Sequence, residues 1–148
     1  MTIAAFFALL GVIAWTDWKT MRIPNRLNAA VFVTGLCAFF TVPGPGVPER
    51  VLGMFVVSVP MLLAALLVPG GFGGGDIKLM AAGGLFLGWE GYVLAAVLGI
   101  FAGGIWGLYL LLFKRADRRD VFPFGPCLCG GMLAAFVILC TRGSYHIL

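Results

Sequence analysis

The chain has 148 residues and a formal net charge of +4; 61% of its residues are hydrophobic and only 11% are charged. Soluble domains contain about 25% charged residues, so this composition excludes a soluble globular protein and predicts an integral membrane protein. The basic residues stand between apolar runs rather than among aromatic residues on a polar surface, which argues against a nucleic-acid partner. We therefore expect one domain over residues 1–148, embedded in the membrane and in contact with its lipids.

Apolar runs separated by charges or by Pro and Gly predict an all-α, polytopic membrane helix bundle of about six transmembrane helices. A helix needs about 20 residues to cross the hydrocarbon core, so the fourth span is expected to be short. Pro60 is a candidate kink within the third span, and the glycines of the fourth and fifth spans are expected to allow close helix packing. The six candidate spans are Ile3–Trp15, Leu27–Thr41, Val51–Val68, Ile77–Gly88, Tyr92–Phe113 and Phe122–Cys140.

The basic residues predict how the spans are oriented. Lysine and arginine accumulate in cytoplasmic loops of membrane proteins. If the spans alternate, one side of the membrane receives most of the basic residues, so we expect that side to be cytoplasmic and both termini to lie outside. The basic residues on the cytoplasmic side are Lys19, Arg22, Arg26, Lys78, Lys114, Arg115, Arg118 and Arg119, whereas Arg50 and Arg142 lie on the other side.

Two acidic residues stand out among the six in the chain. Asp76 follows three consecutive glycines and precedes an apolar run, and Asp17 closes the first span. The predicted topology places both at the cytoplasmic face. A charged side chain at a bilayer is costly and is therefore a candidate for function. Each also has a structural interpretation, because Asp76 could cap a helix beginning at Ile77 and either aspartate could pair with a nearby cation.

Considered together, the two carboxylates suggest aspartyl hydrolysis. Two interacting carboxyl groups do not both ionise easily, so one holds a proton that the other lacks. The ionised group can take a proton from water, and the protonated group can donate to the substrate. A helix N-terminus favours an anion and a helix C-terminus disfavours it, so we expect Asp76 to act mainly as the base and Asp17 mainly as the acid.

Residues for other catalytic mechanisms are scarce in this sequence. His146 is the only histidine, and the four cysteines contain no C-x-x-C pair. We therefore expect no metal site, no cofactor and no serine or cysteine nucleophile activated by histidine. One alternative from a different class stays open: a small transporter, or a proton or ion relay, that uses the same aspartates. A relay needs acids at mid-membrane depth, whereas these are predicted to lie near an interface.

Three segments resemble the type IV prepilin peptidases, a family of membrane aspartyl proteases with a G-x-G-D motif. Residues Gly73–Asp76, continued as G-G-G-D-I-K-L, match that motif. Asp17 followed by Ile23–Asn25 resembles the family's D-x5-I-P-N segment, and Phe122–Leu128 resembles its P-F-G-P signature. The segments occur in the family's order over most of the chain. They favour the prepilin branch over an archaeal preflagellin peptidase or another G-x-G-D intramembrane protease.

The resemblance implies an aspartic endopeptidase with Asp17 and Asp76 as its catalytic residues. Such an enzyme removes a short basic leader from a prepilin or pilin-like precursor at the cytoplasmic face of the bacterial inner membrane. Larger members carry an N-terminal region with paired C-x-x-C motifs that accompanies methylation of the new N-terminus. This sequence lacks those motifs and resembles the short peptidase-only members of tight-adherence (Flp-type) pilus systems.

Roles in positioning the substrate or the loops are expected for residues that flank the two aspartates. Asn25 is a candidate hydrogen-bond partner of the substrate backbone or of a loop, and Pro24 is expected to stiffen the turn into the second span. Lys78 is a candidate to tune Asp76 or to bind an acidic group of the substrate. The expected positioning residues are Gly73, Gly75, Lys78, Pro24 and Asn25.

Overall fold

The structure is a computed structural model that describes residues 1–68, 73–113 and 123–143. All regular elements within these ranges are α-helices, so the predicted all-α bundle is confirmed. The helices are α1 (Thr2–Thr20), α2 (Asn25–Thr41), α3 (Val47–Val56), α4 (Ser58–Leu67), α5 (Gly74–Phe113) and α6 (Gly125–Thr141). Three apolar stretches in the described part are long enough to cross a membrane, namely Thr2–Thr20, Val47–Leu67 and Gly74–Phe113.

Helix α5 is the centre of the bundle. Helices α2, α3 and α6 pack along it, and α1 packs against α2 and α6. It joins the predicted fourth and fifth spans at Gly88, whose φ of 68° and ψ of 173° interrupt the helix. Glycine adopts this positive φ at little steric cost. We call residues 74–87 the amino-terminal arm and residues 89–113 the carboxy-terminal arm. At 1.5 Å per residue the amino-terminal arm is about 21 Å long, shorter than the ~30 Å hydrocarbon core.

The predicted third span consists of α3 and α4, which are separated at Val57. Val57 stays in the right-handed helical region, but its φ of −108° is far from the ideal helical value of about −63°, while its ψ is −39°. Pro60 has no N–H to donate to the carbonyl of Val56, and its ring would clash with that carbonyl. The helix is therefore interrupted in the turn that precedes Pro60, the residue at which a kink was predicted.

Glycines bring α3 and α5 into close contact. The backbone of Gly84 lies against the carbonyl of Gly53 so closely that neither residue has room for a Cβ atom. Small residues allow membrane helices to approach in this way. Gly99 similarly faces the backbone of Leu128 on α6, whereas Gly104 faces open space. Close packing, as expected from the sequence, thus holds at Gly84 and Gly99 but not at every glycine of α5.

Arg50 on α3 is buried, with only 2% of its surface exposed. Its guanidinium donates hydrogen bonds to the carbonyls of Val42 and Pro45 and to those of Leu85 and Phe86. Three of these carbonyls belong to residues at the ends of α2 and of the amino-terminal arm, where a cation is favoured by the helix dipole. Arg50 therefore joins three parts of the bundle, a role that its place in the charge pattern did not reveal.

The chain passes back and forth between two ends of the bundle. At one end the Thr41 hydroxyl donates to that of Thr2 at 2.8 Å, and Gly88 packs against Pro45. The other end, which we call the aspartate end, comprises residues 17–28, 73–78 and 123–126. Four of the eight predicted cytoplasmic cations, and also Phe122 and His146, lie outside the described residues. Those cations are Lys114, Arg115, Arg118 and Arg119.

Candidate active site

Asp17 lies in the last turn of α1 and is only 5% exposed. Its Oδ2 accepts a hydrogen bond of 2.8 Å from the backbone N–H of Gly125, the first residue of α6. A Cβ atom at position 125 would lie 2.7 Å from the same oxygen, so only glycine permits this approach. Asp17 therefore occupies the N-terminus of a helix that begins 108 residues later in the chain.

Asp76 lies in the first turn of α5 and is partly buried. The helix begins at Gly74 rather than at Ile77, so Asp76 does not occupy the N-cap position that the sequence suggested. The backbone N–H of Gly73 donates to its carboxylate, as in the second half of a capping box. Its Oδ1 is buried and has no hydrogen-bond partner among the described residues.

The placement of Asp17 changes the expected assignment of acid and base. The sequence places Asp17 at the end of α1, where the helix dipole disfavours an anion. The structure also places it at the start of α6, where the free N–H groups and the dipole favour one. Both carboxylates thus lie at helix N-termini, and the dipole argument no longer distinguishes their roles.

The two aspartates line one cavity of about 250 Å³ at the aspartate end of the bundle. They are close enough for the charge of Asp17 to act on Asp76. A volume of about 250 Å³ is large enough for several water molecules or for a short stretch of extended peptide at the two carboxyl groups. Its other lining residues are Met21, Arg22, Ile23, Gly73, Gly74 and Gly75.

The I-P-N segment places the turn before α2 against the first turn of α5, which carries Asp76. A Cβ atom at Gly75 would lie 3.0 Å from Cβ of Ile23, so the two segments are in direct contact. Pro24 precedes α2 with φ of −62° and ψ of 137°, and its carbonyl accepts the N–H groups of Leu27 and Asn28. The ring of Pro24 fixes its φ angle at the point where the chain enters α2.

Lys78 and Asn25 form a polar contact on the outer side of this junction. Nζ of Lys78 donates to Oδ1 of Asn25 at 2.9 Å, and both side chains are exposed. The structure therefore brings together two of the predicted positioning residues, one from α2 and one from α5. Gly73 is close to Asp76 as well, because a Cβ atom there would lie 3.0 Å from Oδ2 of the aspartate.

Cys129 is a further titratable group near the two aspartates in the described part of the chain. Cys129 on α6 is 6% exposed and lies within electrostatic range of both carboxylates. No group of three or more His, Cys, Asp or Glu side chains that could hold a metal ion occurs within 1–68, 73–113 and 123–143. Among the described residues that line the cavity, the acidic groups are those of Asp17 and Asp76.

Comparison with known proteins identifies the family of this chain. Residues 4–108 match the sequence profile of the type IV leader peptidase family. The chain belongs to the type IV leader peptidase family. The family resemblance inferred from the three sequence motifs is thereby confirmed.

The curated relatives of this chain carry the name prepilin leader peptidase/N-methyltransferase. The protein of Bacillus subtilis is 30% identical over 142 residues, which are 96% of this chain and 57% of the relative. That of Aeromonas salmonicida is 32% identical over 136 residues, 86% of this chain and 46% of the relative. The chain thus spans about half the length of the curated relatives that it matches. No solved structure matches it.

Two residues at the site, Gly125 and Asn28, were not singled out from the sequence. Gly125 belongs to the P-F-G-P segment, but its contact with Asp17 depends on how α6 meets α1. Asn28 is 5% exposed, and its Nδ2 donates to the Gly75 carbonyl at 3.1 Å. A polar residue one turn inside an otherwise apolar helix was the only available signal for Asn28. The long apolar helices and the family together fit a multi-pass inner-membrane protein.

Proposed function

We propose that the protein is a leader peptidase that cleaves the short basic leader from a prepilin or pilin-like precursor, with Asp17 and Asp76 as its catalytic pair. The observation that supports this most strongly is the convergence of the two carboxylates in one cavity of about 250 Å³. They come from distant parts of the sequence, and each is held by a backbone N–H group. The names of the curated relatives support the substrate class.

The reaction needs one ionised and one protonated carboxyl group. The ionised group takes a proton from a water molecule, whose oxygen attacks the carbonyl carbon of the scissile peptide bond. The protonated group donates its proton to the carbonyl oxygen, forming a tetrahedral intermediate. Collapse of that intermediate breaks the C–N bond: the proton taken from water passes to the leaving amine, and one hydroxyl of the intermediate returns a proton to the carboxylate that acted as the acid. The products are the leader with a new carboxyl terminus and the mature chain with a new amino terminus.

The surroundings of the pair favour this division of labour without assigning it to one residue. Gly125 holds one oxygen of Asp17, which restricts the orientation of that carboxyl group. Oδ1 of Asp76 has no protein donor in the described part of the chain and can accept a proton or bond to a water molecule. Because the two groups interact, protons are gained and lost by the pair rather than by either residue alone.

The same proposal includes an orientation in the membrane. The exposed cations Lys19, Arg22, Arg26 and Lys78 all lie at the aspartate end. On the basis of the positive-inside rule, we propose that this end lies in the cytoplasm and that both termini lie in the periplasm. A precursor whose apolar segment lies in the bilayer would present its basic leader to the same face. We propose that residues 1–148 form a single membrane-embedded peptidase domain.

The test is cleavage of a co-expressed prepilin with a short leader, followed as a mobility shift on a gel. Asp17→Asn and Asp76→Asn keep the shape of each side chain but remove its acid–base chemistry. Each is expected to lower the cleavage rate by about 10²- to 10⁴-fold, the usual contribution of a general acid or base. Glu90→Gln is the matched control, because Glu90 is an exposed acid at the opposite end. Cleavage at the wild-type rate by either Asn variant would exclude the catalytic pair and favour the ion-relay alternative.

A further inference from the structure

A buried amide on α2 contacts the backbone beside Asp76. Asn28 is 5% exposed, and its Nδ2 donates to the carbonyl oxygen of Gly75 at 3.1 Å. Gly75 immediately precedes Asp76 and lies in the first turn of the amino-terminal arm. The hydrogen bond therefore joins α2 to the backbone that carries one of the two carboxylates.

The carbonyl oxygen of the Asn28 amide indicates what the residue is for. Oδ1 of Asn28 is buried and has no hydrogen-bond partner among the described residues. Burying an unpaired acceptor lowers stability, so an apolar residue of similar size would suit the fold at least as well. What only the amide supplies is the N–H donor to Gly75.

This hydrogen bond is one of two contacts that restrain Gly75 in the first turn of α5. Ile23 packs against the Cα atom of Gly75 from the turn between α1 and α2. Asn28 lies about one helical turn further along the chain, in α2, and donates a hydrogen bond to the carbonyl of Gly75. The contact with Ile23 limits how near the first turn of α5 can come to α2, and the hydrogen bond from Asn28 limits how far that turn can move away. Lys78 and Asn25 add a contact, but both are exposed and are therefore less restricted by packing.

We infer that Asn28 is a positioning residue that holds the Gly75–Asp76 backbone in register with Asp17. The inference rests on the proposed function, since it concerns the placement of Asp76 for cleavage. Asn28 does not line the cavity of the two aspartates, and it acts through Gly75. Its loss should therefore lower kcat for prepilin cleavage and leave KM nearly unchanged.

The first experiment measures cleavage kinetics of a purified short-leader prepilin by variants of position 28. Asn28→Leu removes the donor together with the unpaired acceptor, so the protein is expected to fold. Its kcat should fall about 10- to 100-fold, the usual effect of a small misplacement of a catalytic group. Asn28→Gln keeps the amide and should recover most of this loss, because Asn28 borders an open groove of about 320 Å³ that has room for another methylene group.

The control is Thr34→Val on the same helix, which removes a hydroxyl that bonds only to carbonyls of α2. It is expected to retain the wild-type kcat. Wild-type kcat in Asn28→Leu would overturn the inference. A folded Asn28→Gln protein as inactive as Asn28→Leu would overturn it as well, since the amide donor would then not be what matters.

A second measurement does not depend on cleavage. Hydrogen–deuterium exchange of residues 76–79 should be faster in Asn28→Leu than in wild type, with exchange in α6 unchanged, if the hydrogen bond to Gly75 holds the start of α5. Unchanged exchange at residues 76–79 would overturn the inference. If wild type cleaves no prepilin, the proposed function fails, and the exchange result alone decides whether Asn28 positions this backbone.

Discussion

The contact between Gly125 and Asp17 predicts that one added methyl group disrupts the site. In Gly125→Ala the new Cβ atom would lie 2.7 Å from Oδ2, 3.0 Å from Cγ and 3.1 Å from Cβ of Asp17. These distances involve three atoms of a buried side chain, so a small rotation of the carboxylate does not relieve all of them. Either Asp17 or the start of α6 must move.

The size of the effect follows from the displacement. Ordinary contacts of a Cβ atom begin at 3.4 Å, so the carboxylate and residue 125 must separate by about 0.7 Å. That movement weakens the 2.8 Å hydrogen bond from the residue 125 N–H. A hydrogen bond to a charged group is worth about 1.5–3 kcal/mol, and each 1.36 kcal/mol is tenfold in rate. We therefore expect kcat/KM for prepilin cleavage to fall about 10- to 100-fold.

The assay is the initial rate of prepilin cleavage by purified Gly125→Ala in detergent, compared with wild type and with Gly130→Ala. Gly130 is the matched control, because it lies on the same helix and a Cβ atom there meets nothing within 4 Å. Gly130→Ala should cleave at the wild-type rate and be as stable or slightly more stable, since alanine favours helix. A rate for Gly125→Ala within twofold of wild type would refute the reasoning that this close approach positions Asp17.

Two further predictions concern the opposite part of the bundle and are measured as thermal stability in detergent. Gly84→Ala should destabilise the protein by about 1–3 kcal/mol, because the new methyl group overlaps the backbone of Gly53, whereas Gly104→Ala, in open space, should not. Arg50→Met should cost about 3 kcal/mol or more, because a side chain of similar length leaves several buried carbonyls without their donor. An unchanged melting temperature for either Gly84→Ala or Arg50→Met would contradict the packing described at that residue.

The positions of Gly125 and Ile23 give two of the family motifs a physical meaning in this chain. The P-F-G-P segment starts α6 with a residue that has no Cβ atom at the place where Asp17 needs a backbone donor. The I-P-N segment turns the chain sharply from α1 into α2 and places Ile23 against Gly75. One motif thus contacts Asp17 directly, and the other contacts the glycine that precedes Asp76.

The sequence by itself determined the protein class, the approximate spans and the two acidic residues of interest. These properties are local, because hydropathy and charge are counted along the chain and only six acidic residues had to be compared. The short fourth span was also predictable, since the apolar run Ile77–Gly88 is shorter than the about 20 residues that a crossing helix needs. Most span boundaries differed by a few residues, and at Asp76 the difference moved the residue from before the helix into its first turn.

Only the tertiary structure decided how residues from different helices meet. The second helix N-terminus at Asp17, the amide of Asn28 on Gly75 and the burial of Arg50 all involve partners that are 35–108 residues apart. A pattern along the chain reports the face and length of one helix but not its rotation or depth relative to another. Those quantities depend on packing, here on glycines that let the helices approach to backbone contact. The carboxyl pair was therefore foreseeable as two residues, whereas the groups that hold it in place were not.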